Sequence, residues 1–158
     1  MRSALAVLAV LVLAGCATGG DAVDVNNGGE FRFVAGTPSG EVAVLNFWGS
    51  WCAPCRVETP AFQEVYAEVR DDGVEFLGLN VKETSEQFAL AFVDRFGIEF
   101  PSLFDPRGEV ALAFRDYPAN FIPSTIVLDR ENRVAAVYTG EIAQDDLRRV
   151  LDRLLEEG

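Results

Sequence analysis

The chain has 158 residues, 49% of them hydrophobic and 11% aromatic, enough to bury one core without disulfide or metal staples. Its formal net charge of −12, with Lys82 the only lysine, opposes binding to a phosphate backbone and adsorption to anionic headgroups, both of which need clustered cations. No nucleic-acid partner is expected, and a single globular domain is.

The first residues differ in character from the rest. Met1-Arg2 is basic, residues 4–14 are an unbroken apolar run, and the small residues Gly15-Cys16-Ala17 follow, the pattern of an export signal. The run is about half the ~20 residues a spanning helix needs, so the domain is expected to work outside the cytoplasm rather than to cross the membrane. "LAGC" (13–16) resembles the lipobox of bacterial lipoproteins. That resemblance implies a signal peptide over residues 1–15 and a lipid anchor on Cys16, holding the protein at a bacterial cell membrane and facing the periplasm or the cell exterior. The competing reading is an ordinary secretory signal cleaved at or after Ala17, with Cys16 lost. Either way Cys16 leaves the thiol count. Residues 16–29, rich in Gly, Asn and Asp, read as a flexible tether, and residues 30–158 as the folded domain.

After the tether, strand and helix alternate. "FRFV" (31–34) predicts a short edge strand, whereas "VAVLNF" (42–47) is a continuous apolar run and so predicts a central strand covered on both faces. Residues 55–70 predict a helix with Val57, Phe62, Val65, Tyr66 and Val69 on its apolar stripe and a kink at Pro60. "VEFLGLNV" (74–81) predicts a second buried strand, "SEQFALAFVDRF" (85–96) an amphipathic helix ended by Gly97, and "FPSLFD" (100–105) a short strand. Residues 108–115 predict a short helix. "STIVLD" (124–129) and "VAAVYTG" (134–140) then predict a β-hairpin, and residues 144–155 a closing helix with Leu147, Val150, Leu151, Leu154 and Leu155 on one face. The alternation predicts an α/β domain, a mixed β-sheet with helices on both faces.

Cys52-Ala53-Pro54-Cys55 is the segment that carries chemistry. A zinc site would need about two more Cys or His ligands, and the exported chain has neither, so no metal is expected. A Cys52–Cys55 disulfide closes too small a loop to serve as a fold staple. A redox dithiol uses both thiols and needs no cofactor beyond their disulfide. A strand feeding a helix puts the first cysteine at the helix N-terminus, exposed, and the second one turn in and more buried. The helix terminus favours an anion, which makes Cys52 the expected nucleophile and Cys55 the resolving thiol.

"WCAPC", with the preceding "NFWGS" and the later "FIPST", resembles the thioredoxin superfamily, and more narrowly the membrane-anchored TlpA/ResA-like thiol-disulfide oxidoreductases. The resemblance covers about residues 31–157 and implies a thioredoxin fold with a helix-strand insertion around 84–105. It implies a cis proline, Pro123, facing the cysteines, with Ile122 before it pairing with an extended client peptide. Trp51, Ala53 and Pro54 would complete the client surface, while Trp48 reads as either core or site. Where cytosolic thioredoxins carry an aspartate this chain has Asn46, and the resemblance supplies Glu83 as the proton acceptor for Cys55. Glu58, the substitute, is expected to face solvent.

The function so implied is disulfide exchange with exported proteins, with apocytochrome c as the reduced client and a membrane thiol donor as electron source, by a monomer. The same fold can oxidise clients instead, and the missing histidine between the cysteines leans to reduction. A peroxiredoxin-like peroxidase fits less well, because Leu45 and Gly49 stand where such enzymes carry Pro and Thr or Ser. A copper chaperone would use a histidine, and a module without chemistry would have no need of two thiols.

Overall fold

The computed structural model describes residues 23–24, 40–114 and 121–157. The expected signal peptide, Cys16 and the strand at 31–34 lie outside them. Among the described residues, no helix is long and apolar enough to cross a membrane.

A six-stranded mixed sheet runs in the order β1-β4-β3-β2-β5-β6. Its centre is the pair of apolar runs: β2 (Val42–Trp48) lies parallel to β3 (Val74–Val81), with Leu45 opposite Leu77. All seven residues of β2 are buried, as a strand covered on both faces must be. β4 (Ser102–Asp105) extends the parallel side, and β5 (Ser124–Leu128) with β6 (Val134–Thr139) adds the antiparallel hairpin. β1 (Val23–Asp24) pairs antiparallel with β4 and was not anticipated. It falls within the stretch read as a free tether, where composition hid the fact that two residues suffice to pair with an exposed strand edge.

Helices α1 (Ala53–Val69), α2 (Glu86–Phe96) and α3 (Gln144–Glu156) fall where periodicity put them. Ser85 caps α2 by accepting the Gln87 N–H, and Gly97 closes it at φ 60°, a left-handed conformation that glycine takes without Cβ strain. The helix α1 continues through Pro60 without a break. All three α-helices bury side chains into one core, with Val44, Phe62, Phe76, Val127 and Leu151 at its centre. Among the described residues, the opposite core, around Leu45, Leu79 and Ile126, is covered by the 3-10 helix Ala111–Phe114, whose Phe114 meets Phe47 edge-on. The expected short helix at 108–115 is thus tighter and shorter, and the sheet is flanked by helices on both faces as expected, α-helices on one and, among the described residues, this 3-10 helix on the other. The insertion expected around 84–105 is α2 and β4.

Gly78, on β3, sits where the side chains of the neighbouring strands leave no room for another. A Cβ there would stand 2.2 Å from Ser102 Oγ and 2.8 Å from Trp48 Nε1. Gly78→Ala is therefore expected to lower unfolding stability by about 1–3 kcal/mol in urea titration, and an unchanged midpoint would contradict that packing.

Candidate active site

The cysteine pair is placed by the junction of β2 with α1. β2 ends at Trp48, a turn follows in which the Cys52 N–H donates to Gly49 O at 3.1 Å, and α1 begins at Ala53. Cys52 is the N-cap: its backbone is extended, and its Sγ accepts the Cys55 N–H at 3.2 Å. Pro54 stands in the first turn, where its missing N–H costs no helical hydrogen bond. The two sulfurs are bonded, S–S 2.03 Å. Cys55 is fully buried as expected, but Cys52 is only 3% exposed rather than open to solvent. In the disulfide the first sulfur is turned into the protein, and the neighbouring Trp51, Ala53 and Pro54 present the exposed surface.

The Ile122–Pro123 peptide is cis, with Pro123 buried and Ile122 half-buried at the head of β5. A Cβ on Gly49 would lie 2.8 Å from Trp51 Nε1 and 3.4 Å from Ile122 Cδ1, so the Trp51 indole and Ile122 converge over this glycine. Trp51, 50% exposed, and Phe121, 69% exposed, give that rim an apolar surface. Trp48 belongs to the core, stacked on Phe92 with ring centroids 4.7 Å apart.

Two buried carboxylates, Glu58 and Glu83, lie near this junction and have different partners. Glu58, expected in solvent, is 3% exposed. Its Oε1 accepts Asn46 Nδ2 at 2.9 Å and its Oε2 accepts the Ile142 N–H at 3.1 Å. Asn46 also donates to Thr125 Oγ1 at 3.3 Å, its partner across β2 and β5. Burial pushes the Glu58 carboxyl up from an ordinary 4.5 to about 7, against the two hydrogen bonds and with help from the negative charge of Glu141. Glu58 stands three residues after Cys55 on the buried side of α1, the spacing at which side chains become neighbours. A carboxyl that exchanges its proton near neutrality therefore lies one turn from the buried thiol.

The sequence did carry this signal. Counted back from Val65 and Phe62 in steps of three and four, the buried stripe of α1 passes through Thr59, Glu58 and Cys55. Val57, expected on that stripe, lies off it and is 67% exposed.

Glu83 is 7% exposed. Its Oε2 accepts the Ser50 N–H at 2.9 Å and Asn80 Nδ2 at 3.5 Å, and its Oε1 accepts the Thr84 N–H at 3.2 Å. Its contacts are thus to the loop before the cysteines rather than to α1.

A mixed sheet of this order, whose central strand passes a cysteine pair to the following helix, is the thioredoxin fold. Residues 22–137 match the AhpC/TSA family, and the chain belongs to it, within the ResA-like group of the thioredoxin superfamily. It is 35% identical over 115 residues to the thiol-disulfide oxidoreductase ResA of Geobacillus kaustophilus, covering 73% of this chain and 64% of that relative's length. Among solved structures, a DsbF homologue from Corynebacterium diphtheriae aligns with TM-score 0.70 and 41% identity over 74% of each chain. A secreted thiol-disulfide isomerase from Corynebacterium glutamicum aligns with TM-score 0.71 and 38% identity, covering 75% of this chain and 72% of the other.

The Glu58 environment predicts a pH dependence of stability. Unfolded, this carboxyl loses its proton near 4.5; folded, it holds it to about 7. The folded chain therefore binds the extra proton between those values, so the contribution is full below about 4.5 and is lost as pH rises through about 7. Wild type should lose stability relative to Glu58→Gln by on the order of 3 kcal/mol across that window in urea unfolding at stepped pH, and parallel curves for the two would contradict it.

Proposed function

We propose that the protein is a thiol-disulfide oxidoreductase that reduces disulfides in exported proteins, held at a bacterial membrane by a lipid on Cys16. The observation that carries this reading is the bonded Cys52–Cys55 pair at the N-terminus of α1, beneath an apolar rim that includes the residue before a cis proline. In the reduced protein the Cys52 thiolate, favoured by the helix terminus, attacks one sulfur of a client disulfide. That gives a Cys52–client mixed disulfide and releases one client thiolate. The Cys55 thiol passes its proton to Glu58 and attacks the Cys52 sulfur, which forms the Cys52–Cys55 disulfide and releases the second client thiolate. Two electrons go to the client, and a thiol donor at the membrane must restore the dithiol.

Glu58 rather than Glu83 takes the proton in this reading. It is the carboxyl on the buried stripe with Cys55, and its affinity near neutrality suits transfer in either direction. Ile122 and Pro123 would seat the client backbone, with Trp51, Ala53 and Pro54 against its side chains. Export and anchoring rest on the signal-like residues 1–16, and the secreted character of the Corynebacterium glutamicum relative agrees with export. Apocytochrome c is the client inferred from the TlpA/ResA resemblance. The acidic composition favours clients with basic faces.

The residue roles predict an asymmetry between the cysteines. Cys55→Ala is expected to accumulate a mixed disulfide with oxidised insulin or an apocytochrome peptide, visible on non-reducing gels, while Cys52→Ala traps nothing and reduces nothing. Equal trapping by both variants, or turnover of hydrogen peroxide faster than of insulin, would overturn the reading.

A further inference from the structure

Glu83 has a task that proton transfer does not explain. β3 ends at Val81, and Lys82 then adopts φ 54°, a left-handed conformation uncommon for a residue with a side chain. This bend precedes a buried Glu83 whose Oε2 meets Ser50 N at 2.9 Å and whose Oε1 meets Thr84 N at 3.2 Å. Asn80, one strand position before Val81, reaches the same Oε2 at 3.5 Å. Glu83 therefore accepts N–H groups with both oxygens, and one of those donors belongs to the loop that carries Cys52.

That loop is held at further points. Lys82 O accepts the Trp51 indole Nε1–H at 3.1 Å, and Ser50 O accepts Arg56 Nε at 3.1 Å and Nη2 at 2.6 Å. The peptide groups of Ser50 are thus fixed from both sides, by a carboxylate at the nitrogen and a guanidinium at the oxygen. The indole folds back over Gly49, where a Cβ would stand only 2.8 Å from its Nε1. The absence of a side chain at Gly49 is what lets the ring reach Lys82 O, and Trp51 as a whole remains half exposed.

We propose that Glu83 is a positioning residue: with Lys82 O and Arg56 it fixes the Gly49–Trp51 loop, so that the Trp51 indole forms a rigid rim beside Cys52 against which a polypeptide client is placed. The proposal rests on the disulfide-reductase reading for its client, but not for the clamp itself. Binding to a preformed rim avoids the cost of ordering a loop and an aromatic side chain at each encounter. Loss of the clamp therefore acts on polypeptide substrates, whereas a small disulfide that needs only the sulfur of Cys52 is affected little.

The test compares Glu83→Ala, Glu83→Gln and Glu58→Gln in the reduced protein, with insulin and a small aromatic disulfide as substrates and thiol-disulfide rates followed against pH. The side-chain amide in Glu83→Gln still offers an oxygen to the Ser50 N–H. Glu83→Ala should raise the KM for insulin roughly tenfold and change the small-disulfide rate less than about twofold, while Glu83→Gln restores most of the insulin KM. Both Glu83 variants should keep the inflection near neutral pH that Glu58→Gln loses. Independently of turnover, the Trp51 indole N–H should exchange with solvent faster in Glu83→Ala than in wild type by NMR, since its bond to Lys82 O loosens. Glu83→Gln as impaired as Glu83→Ala, with the neutral inflection gone from both, would instead make Glu83 the proton acceptor and overturn the proposal. An unchanged insulin KM and unchanged indole exchange in Glu83→Ala would overturn it too. If wild type failed to reduce insulin, the functional reading would fall while the indole exchange still decided the clamp.

Discussion

The hydrogen bond from the Cys55 N–H to Cys52 Sγ, at 3.2 Å, marks the point on which the rest of the molecule converges. It exists because a strand buried on both faces ends one short turn before a helix, so a cysteine falls at the N-cap and the next one turn inside. The unsatisfied N–H groups of a helix start favour a sulfur that carries negative charge. The parallel β2–β3 pair, the antiparallel β5 with its cis proline and the rim at Trp51 and Ile122 all serve to surround that one junction. Little of the surrounding architecture needs to be chemically special.

Two buried carboxylates near the disulfide have different neighbours. Glu58 receives two N–H donors and still binds its proton to about 7, because burial outweighs those bonds and Glu141 adds negative charge. Asn46 is important to that balance. It supplies a neutral donor where an aspartate would have put a second carboxylate against Glu58. Glu83 is tied instead to backbone N–H groups of the 50 and 84 positions, which makes it part of the scaffold of the nucleophile loop. Two acidic residues thus have different surroundings: Glu58 bonds to a side-chain amide and the Ile142 N–H within the core, Glu83 to the backbone on either side of the nucleophile loop.

The order of strands and helices was legible because burial imposes a simple pattern: a continuous apolar run at β2, a largely apolar segment at β3, and stripes on α2 and α3. The cysteine pair and the proline before β5 were legible as local motifs. Three things were not. The pairing of Val23–Asp24 with β4 is a two-residue contact whose partner is distant in sequence, and no local pattern records it. The burial of Glu58 was hidden by a charge, since a glutamate on a helix is ordinarily solvated, and by taking Val57 as inward-facing. The Glu83 clamp depends on Ser50, 33 positions away, and on a left-handed Lys82, neither of which leaves a sequence signature.

The central claim is that Cys52 and Cys55 cycle between dithiol and disulfide as an electron source for exported clients. The alanine and proline between them supply no cation to stabilise the thiolate further, unlike a histidine. The measurement that decides most directly is the reduction potential of this pair in glutathione or dithiothreitol buffers, followed by the fraction of free thiol. A value well below about −200 mV, in the range of reducing thioredoxins, is the predicted result. A value near about −120 mV would contradict the account and make the protein an oxidant of its clients.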